Sequence, residues 1–209
     1  MMDNKETKIQ KDWTGTRVSV YRNLAGTGHS GHEREQHDFY ATSPIATRLL
    51  LDIETFDKDI WEPACGLKHI SKCFEERGYN VWNTDLINRT GDIETLDFLQ
   101  CDIKWHGDIV TNPPYKYATE FVEKALDCVE DGHKVAMFLK IQFLEGKKRK
   151  ELFKQHPPKT VWVASSRLSC AINAQWEHPE TESSGSAVCY CWFVWEKGYK
   201  GDTVVKWFN

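Results

Sequence analysis

Asp108-Ile109-Val110-Thr111-Asn112-Pro113-Pro114-Tyr115 is the stretch from which the fold can be read. Three β-branched residues in a row favour a strand, and the two prolines end it, because neither can donate to a ladder. Downstream, Ala118, Phe121, Val122, Ala125, Leu126 and Val129 recur at spacings of three and four, which predicts an amphipathic helix. Val135 to Leu139 is then an unbroken apolar run, suited to a central strand buried on both faces. Strand, helix and strand in this order make a crossover unit, so the two strands should be parallel.

The alternation extends both ways from this unit. Upstream, Ser43 and Pro44 open a helix carrying Ile45, Leu49, Leu50 and Ile53 on one stripe. Ile60-Trp61 reads as a short strand ending at Glu62-Pro63. A helix over Leu67 to Gly78 follows, with Leu67, Ile70, Phe74 and Arg77 on its stripe, and then a strand at Val81 to Asp85. Downstream, Phe143 to Gln155 reads as a charged amphipathic helix and Thr160 to Ala164 as a strand. This pattern predicts an α/β, doubly wound, mostly parallel sheet. Ala187 to Trp195 and Thr203 to Phe208 are β-rich with no helix between them, which predicts an antiparallel hairpin at one sheet edge. Residues 1–37 are polar and aperiodic and read as a flexible arm, leaving 38–209 as a single domain.

With 40% hydrophobic residues and nine tryptophans the chain can bury a sizeable core. A formal net charge of -4 gives no global field toward nucleic acid, so such a partner must be met by a local patch. No signal-peptide core or membrane-length apolar run is present, which points to the cytoplasm. The seven cysteines are scattered, as reduced core thiols are. Neither Cys189 with Cys191 nor His29, His32 and His37 is expected to hold a metal.

The loop after Thr111 carries the chemistry. In an open parallel sheet, ligands bind beyond the carboxyl ends of the strands, where Asn112-Pro113-Pro114-Tyr115 should sit. A conjugated amino group is a poor nucleophile, because its lone pair is delocalised. The Asn112 side-chain oxygen and the Pro113 carbonyl can each accept one amino hydrogen and favour a pyramidal nitrogen. The prolines, Pro113 and Pro114, hold the loop rigid, and Tyr115 can stack on an extruded base.

The sequence resembles the class I N6-adenine methyltransferases, especially small phage-type DNA enzymes, over about residues 38–209. Four segments carry the resemblance: Asp38-Phe39-Tyr40-Ala41-Thr42-Ser43-Pro44, Trp61-Glu62-Pro63-Ala64-Cys65-Gly66, Asp97-Phe98-Leu99 and Asn112-Pro113-Pro114-Tyr115. It implies a Rossmann-like methyltransferase fold with S-adenosylmethionine as cofactor. Phe39, Tyr40 and Thr42 would close over the methionine part. Glu62, Pro63, Ala64, Cys65 and Gly66 would form the turn against the cofactor, Asp85 would bind the ribose hydroxyls, and Asp97 and Phe98 would hold the adenine ring. After Gly66 the family places an acid and a second glycine, whereas this chain has Leu67-Lys68.

Contacts to nucleic acid are expected from Lys116, from Lys147, Lys148 and Arg149 after Gly146, and from Arg167. The target by resemblance is the N6 amino group of adenine in DNA. RNA or a protein glutamine is the alternative acceptor. Leu67-Lys68 also leaves open a nucleic-acid-binding protein that keeps the fold without turnover. No stretch is long enough for a recognition domain, so specificity should be short, or a second copy or a separate subunit should supply it.

Overall fold

The computed structural model describes residues 40–165, 170–172 and 188–208, all within one compact unit, Arg34–Asn209. The expected arm before residue 38 lies outside these residues.

Strand β1 (Tyr40–Thr42) leads into helix α1 (Pro44–Ile53), which starts as predicted with proline in its first turn. Ser43 is its N-cap, as expected, without a side-chain capping bond. Strand β2 (Asp59–Glu62), helix α2 (His69–Glu76), strand β3 (Asn80–Asp85) and a two-residue strand β4 (Glu94–Thr95) follow. Then come β5 (Asp108–Thr111), α3 (Ala118–Cys128), β6 (Lys134–Lys140), α4 (Lys150–Gln155) and β7 (Thr160–Ala164). Short strand β8 (Cys170–Ile172), β9 (Tyr190–Glu196) and β10 (Val204–Phe208) complete the order.

Eight strands form one sheet in the order β10-β7-β9-β6-β5-β2-β3-β4, while β1 and β8 make a separate antiparallel pair. Every pairing in the large sheet is parallel except those of β9, which runs antiparallel to both β6 and β7. On one face α3 packs Phe121, Val122, Ala125 and Leu126 against Ile109, Val135 and Met137. Burying each of the larger side chains contributes roughly 1.5–3 kcal/mol. On the other face Leu50 of α1 and Ile70 and Phe74 of α2 cover Ile60, Val110 and Phe138.

Three expectations need correction. The antiparallel C-terminal element is present, but not as a hairpin: β7 is inserted between β9 and β10, which pairs with β7 in parallel. The six residues Tyr190 to Trp195 are all buried, and a strand covered on both faces belongs inside the sheet. Val204, Val205 and Trp207 are exposed, as suits an edge. The helix predicted over Phe143 to Gln155 exists only from Lys150. Before it, two 3-10 turns (Ile141–Leu144 and Lys147–Arg149) flank Gly146 at φ 122, a conformation no helix admits. The helix predicted from Leu67 begins at His69, because Gly66 and Lys68 both adopt positive φ, 53 and 62. Its expected stripe residue Arg77 instead faces outward and pairs with Asp52 at 2.6 Å.

Candidate active site

The sheet order reverses between β2 and β5, because the chain leaves β2 for β3 on one side and returns to β5 on the other. A crevice opens where the loops after two such strands diverge. Here it is a cleft of about 1030 Å³. Its walls come from the turn after β2, the segments after β3 and β4, and the Asn112 loop after β5.

The turn after β2 is held by its own backbone. Cys65 N donates to Thr84 O at 3.1 Å, and Gly66 N donates to Asp85 Oδ2 at 2.8 Å. Asp85 Oδ1 accepts from Ile87 N at 2.9 Å and faces the Arg89 guanidinium at 3.2 Å. One carboxylate therefore ties together the turns after β2 and β3, and its oxygens retain lone pairs toward the cleft. Lys68 does not line the cleft. Its backbone takes the left-handed conformation that usually favours glycine, and its ammonium pairs with Asp92 at 2.7 Å.

Glu62 lines the cleft yet is only 2% exposed. Its Oε2 accepts from Ser71 N at 2.9 Å and is in hydrogen-bond contact with Ser71 Oγ. Ser71 Oγ also contacts Asn83 Oδ1, and Asn83 Nδ2 faces Glu75 Oε1 at 3.5 Å, which orients the amide. Ser71 has one hydroxyl proton for two acceptors. The array closes when Glu62 is protonated, donating to Ser71 Oγ, which donates in turn to Asn83. Burial pushes the Glu62 carboxyl up to about 8, and the charges of Asp85 and Glu75 add to the rise against the lowering effect of the Ser71 hydrogen bonds. Burial likewise drives the Cys65 thiol above its ordinary value, while His69, also in the cleft, is lowered by burial and by Lys72.

Of the expected site residues, Thr42, Glu62, Pro63, Ala64, Cys65, Asp85, Asp97, Phe98, Asn112, Pro114, Tyr115 and Lys116 all line this one cleft. The Asn112 amide oxygen is buried, as is Thr42 Oγ1, which has no hydrogen-bond partner among the described residues. Phe98 is fixed edge-on against Trp61 at 5.1 Å, and Asp97 Oδ1 accepts from Leu99 N at 3.0 Å. Gly66 and Pro113 are not among the lining residues. Lys147 and Lys148 are exposed and do not line the cleft, whereas Arg149 turns back to donate to the Phe143, Gln142 and Glu145 carbonyls. Tyr40 begins β1, while Phe39 and Arg167 lie outside the described residues.

Arg89, His69, Tyr117 and Lys140 also line the cleft, and the sequence reading did not single them out. Lys140 alone carried a usable signal, since it directly follows the predicted strand Val135 to Leu139 at the carboxyl end.

A mostly parallel sheet with one reversed strand next to its β10 and β7 edge, and a cleft at the switch point, is the Rossmann-like fold of class I methyltransferases. Among solved structures, the chain is similar to a protein of Listeria monocytogenes described as a class I S-adenosylmethionine-dependent methyltransferase. The TM-score is 0.56 at 11% identity, over 91% of this chain and 72% of that one. A protein of Agrobacterium tumefaciens described as an O-methyltransferase gives 0.54 at 10% identity, over 79% and 85%. The M protein of the type I restriction enzyme EcoKI gives 0.51 at 15% identity, over 77% of this chain and 44% of that one. By sequence, no family profile and no curated protein matches the chain. No group of three or more potential metal ligands occurs among the described residues, and no described helix is long and apolar enough to cross a membrane.

Proposed function

We propose that the protein is an S-adenosylmethionine-dependent methyltransferase that modifies the N6 amino group of adenine in DNA. The observation that carries this reading is the presence of Asn112, Pro114 and Tyr115 in one cleft with the Glu62 to Cys65 turn, Asp85, Asp97 and Phe98. The EcoKI M protein, a restriction-modification component, supports a nucleic-acid substrate through its shared fold.

The cleft fits the cofactor. Asp85 offers acceptor capacity at the end of β3, the position at which acids bind ribose hydroxyls in dinucleotide folds. Phe98 presents an aromatic wall, and the buried Thr42 hydroxyl is oriented by no neighbour among the described residues, so a ligand can complete it. When bound, the cofactor supplies a methyl group on a positively charged sulfur. The chain's own groups do the rest. The Asn112 amide oxygen accepts an amino hydrogen and turns the nitrogen lone pair toward the methyl carbon. Tyr115 holds the base plane, the prolines keep the acceptor from reorganising, and the proton released from nitrogen passes to solvent.

The experiment is to incubate the protein with labelled cofactor and separate pools of DNA, RNA and protein, then digest and identify the product. Labelled N6-methyladenine from DNA is the expected result. Label only in RNA or on glutamine would replace the substrate assignment. Tyr115→Ala is expected to lower turnover on DNA by about ten- to a hundredfold, as the loss of a 1–3 kcal/mol stacking contact requires, while circular dichroism shows the fold retained.

Because Lys68 points away from the cleft, Lys68→Gly is expected to leave cofactor affinity within about twofold. Calorimetric titration with S-adenosylmethionine checks this. A gain of tenfold or more would mean that the side chain obstructs the turn, and absence of binding by the native chain would favour a fold retained only for nucleic-acid binding.

A further inference from the structure

Lys140 closes β6 at the carboxyl end of the sheet and lines the cleft. In the antiparallel ladder it stands directly opposite Tyr190 of β9, so the two side chains leave the same face of the sheet. Both reach Tyr115. The Tyr190 ring lies 6.1 Å from the Tyr115 ring, centroid to centroid, at 33°, and the Lys140 ammonium lies 5.1 Å from the Tyr115 centroid. Behind Tyr190 the contacts continue inward, to Phe138 at 5.4 Å and 15°, and from Phe138 to Trp192 at 5.0 Å. All three inner rings are buried. Tyr115 is thus mounted on an aromatic column rooted in the middle of the sheet, and the ammonium is held over its ring.

The charge of Lys140 meets no carboxylate at ion-pair distance among the described residues. The cleft's acids are engaged elsewhere: Glu62 with Ser71, Asp85 with Gly66, Ile87 and Arg89, and Asp97 with Leu99 N. A partly buried cation beside a stacking surface suits a ligand that brings a flat ring and an anion on one short tether. A nucleotide has that form, whereas a glutamine side chain brings no anion. Lys116, next to Tyr115 in the chain, holds its ammonium 5.0 Å over the Tyr117 ring and offers a second cation at the rim.

We propose that Lys140 is a positioning residue that binds the phosphodiester of the target nucleotide while its base lies against Tyr115, an inference that rests on the nucleic-acid reading above. Ion pairing there fixes the nucleotide's slide along the ring, so that the amino group arrives at Asn112 rather than beside it. The contact is sequence-independent, as phosphate contacts are.

The test is steady-state methylation of an adenine-containing single-stranded DNA oligonucleotide by the full chain, by Lys140→Gln and by Lys140→Arg, over a series of salt concentrations. Lys140→Gln is expected to raise KM about tenfold with a much smaller change in kcat, and to make the slope of log affinity on log salt shallower by about 0.7, the value for one phosphate on a single strand. Lys140→Arg is expected to restore both. Cofactor titration of each variant verifies the fold. An unchanged KM and salt slope in Lys140→Gln would overturn the proposal, as would equal loss in the arginine variant, which would mark Lys140 as structural. Failure of the native chain to methylate any nucleic acid would instead remove the reading beneath it.

Discussion

Asn112→Ala is expected to lower kcat for methyl transfer by about 10²–10³-fold while leaving the melting temperature unchanged. Removing one preorganised acceptor or donor from the reacting atoms costs about 2.7–4 kcal/mol of barrier in comparable sites. The loss should fall on kcat, because the amide oxygen matters most once the nitrogen has pyramidalised, a geometry that exists only near the transition state. The fold should be indifferent, since Asn112 follows β5 and the ladders of that strand run through Ile60, Trp61 and Val135 to Met137. Single-turnover kinetics with saturating cofactor and thermal melting together measure both effects. Retention of more than about a tenth of native kcat would refute the assigned role.

The second large effect concerns Glu62. Its carboxyl titrates near 8 in the folded protein against an ordinary 4.5, because burial disfavours the charge. Between those values the folded state keeps a proton that the unfolded chain has released. Stability contributed by this group is therefore fully present below about 4.5 and is lost as pH rises through 8. The group is nearly inaccessible, so solvent screening does little to reduce the loss, which should reach a few kcal/mol. Denaturant unfolding of the native chain and of Glu62→Gln between pH 7 and 8.5 isolates it, because the histidines lowered by burial and the thiols raised by it contribute alike to both proteins. Glu62→Gln keeps an acceptor for Ser71 and carries no titrating proton. It should flatten the profile over that interval and be more stable than the native chain at pH 8.5. A native profile as flat as the variant's would show that Glu62 is ionised throughout.

Both effects originate in loops that the sequence makes legible to different degrees. Asn112-Pro113-Pro114-Tyr115 is identifiable because proline and β-branched chemistry act locally: the strand must end there, and the next strand's position puts the loop at the carboxyl rim. Glu62 is also visible at the end of a strand, but its protonation depends on Ser71 and Asn83, nine and 21 residues away, converging on it. No local pattern announces that convergence.

By itself the sequence determined the alternation of strands and helices from Pro44 to Ala164, the parallel sense of the sheet, and the members of the cleft that end strands. Each follows from periodicity or from the stereochemistry of neighbouring residues. Tertiary structure alone decided that β9 enters the sheet between β6 and β7, since that choice rests on burying Trp192, Phe193 and Trp195 on two faces at once. It also decided that Lys68 turns to Asp92, that Arg149 is spent on backbone carbonyls, and that Lys140 and Tyr190 meet at Tyr115. The physical reason is the same for β9, Lys68 and Lys140, whose contacts join segments distant along the chain or set a backbone angle against local preference, whereas Arg149 depends on the turn at Gly146. Only the packed whole determines which of those arrangements has the lowest free energy.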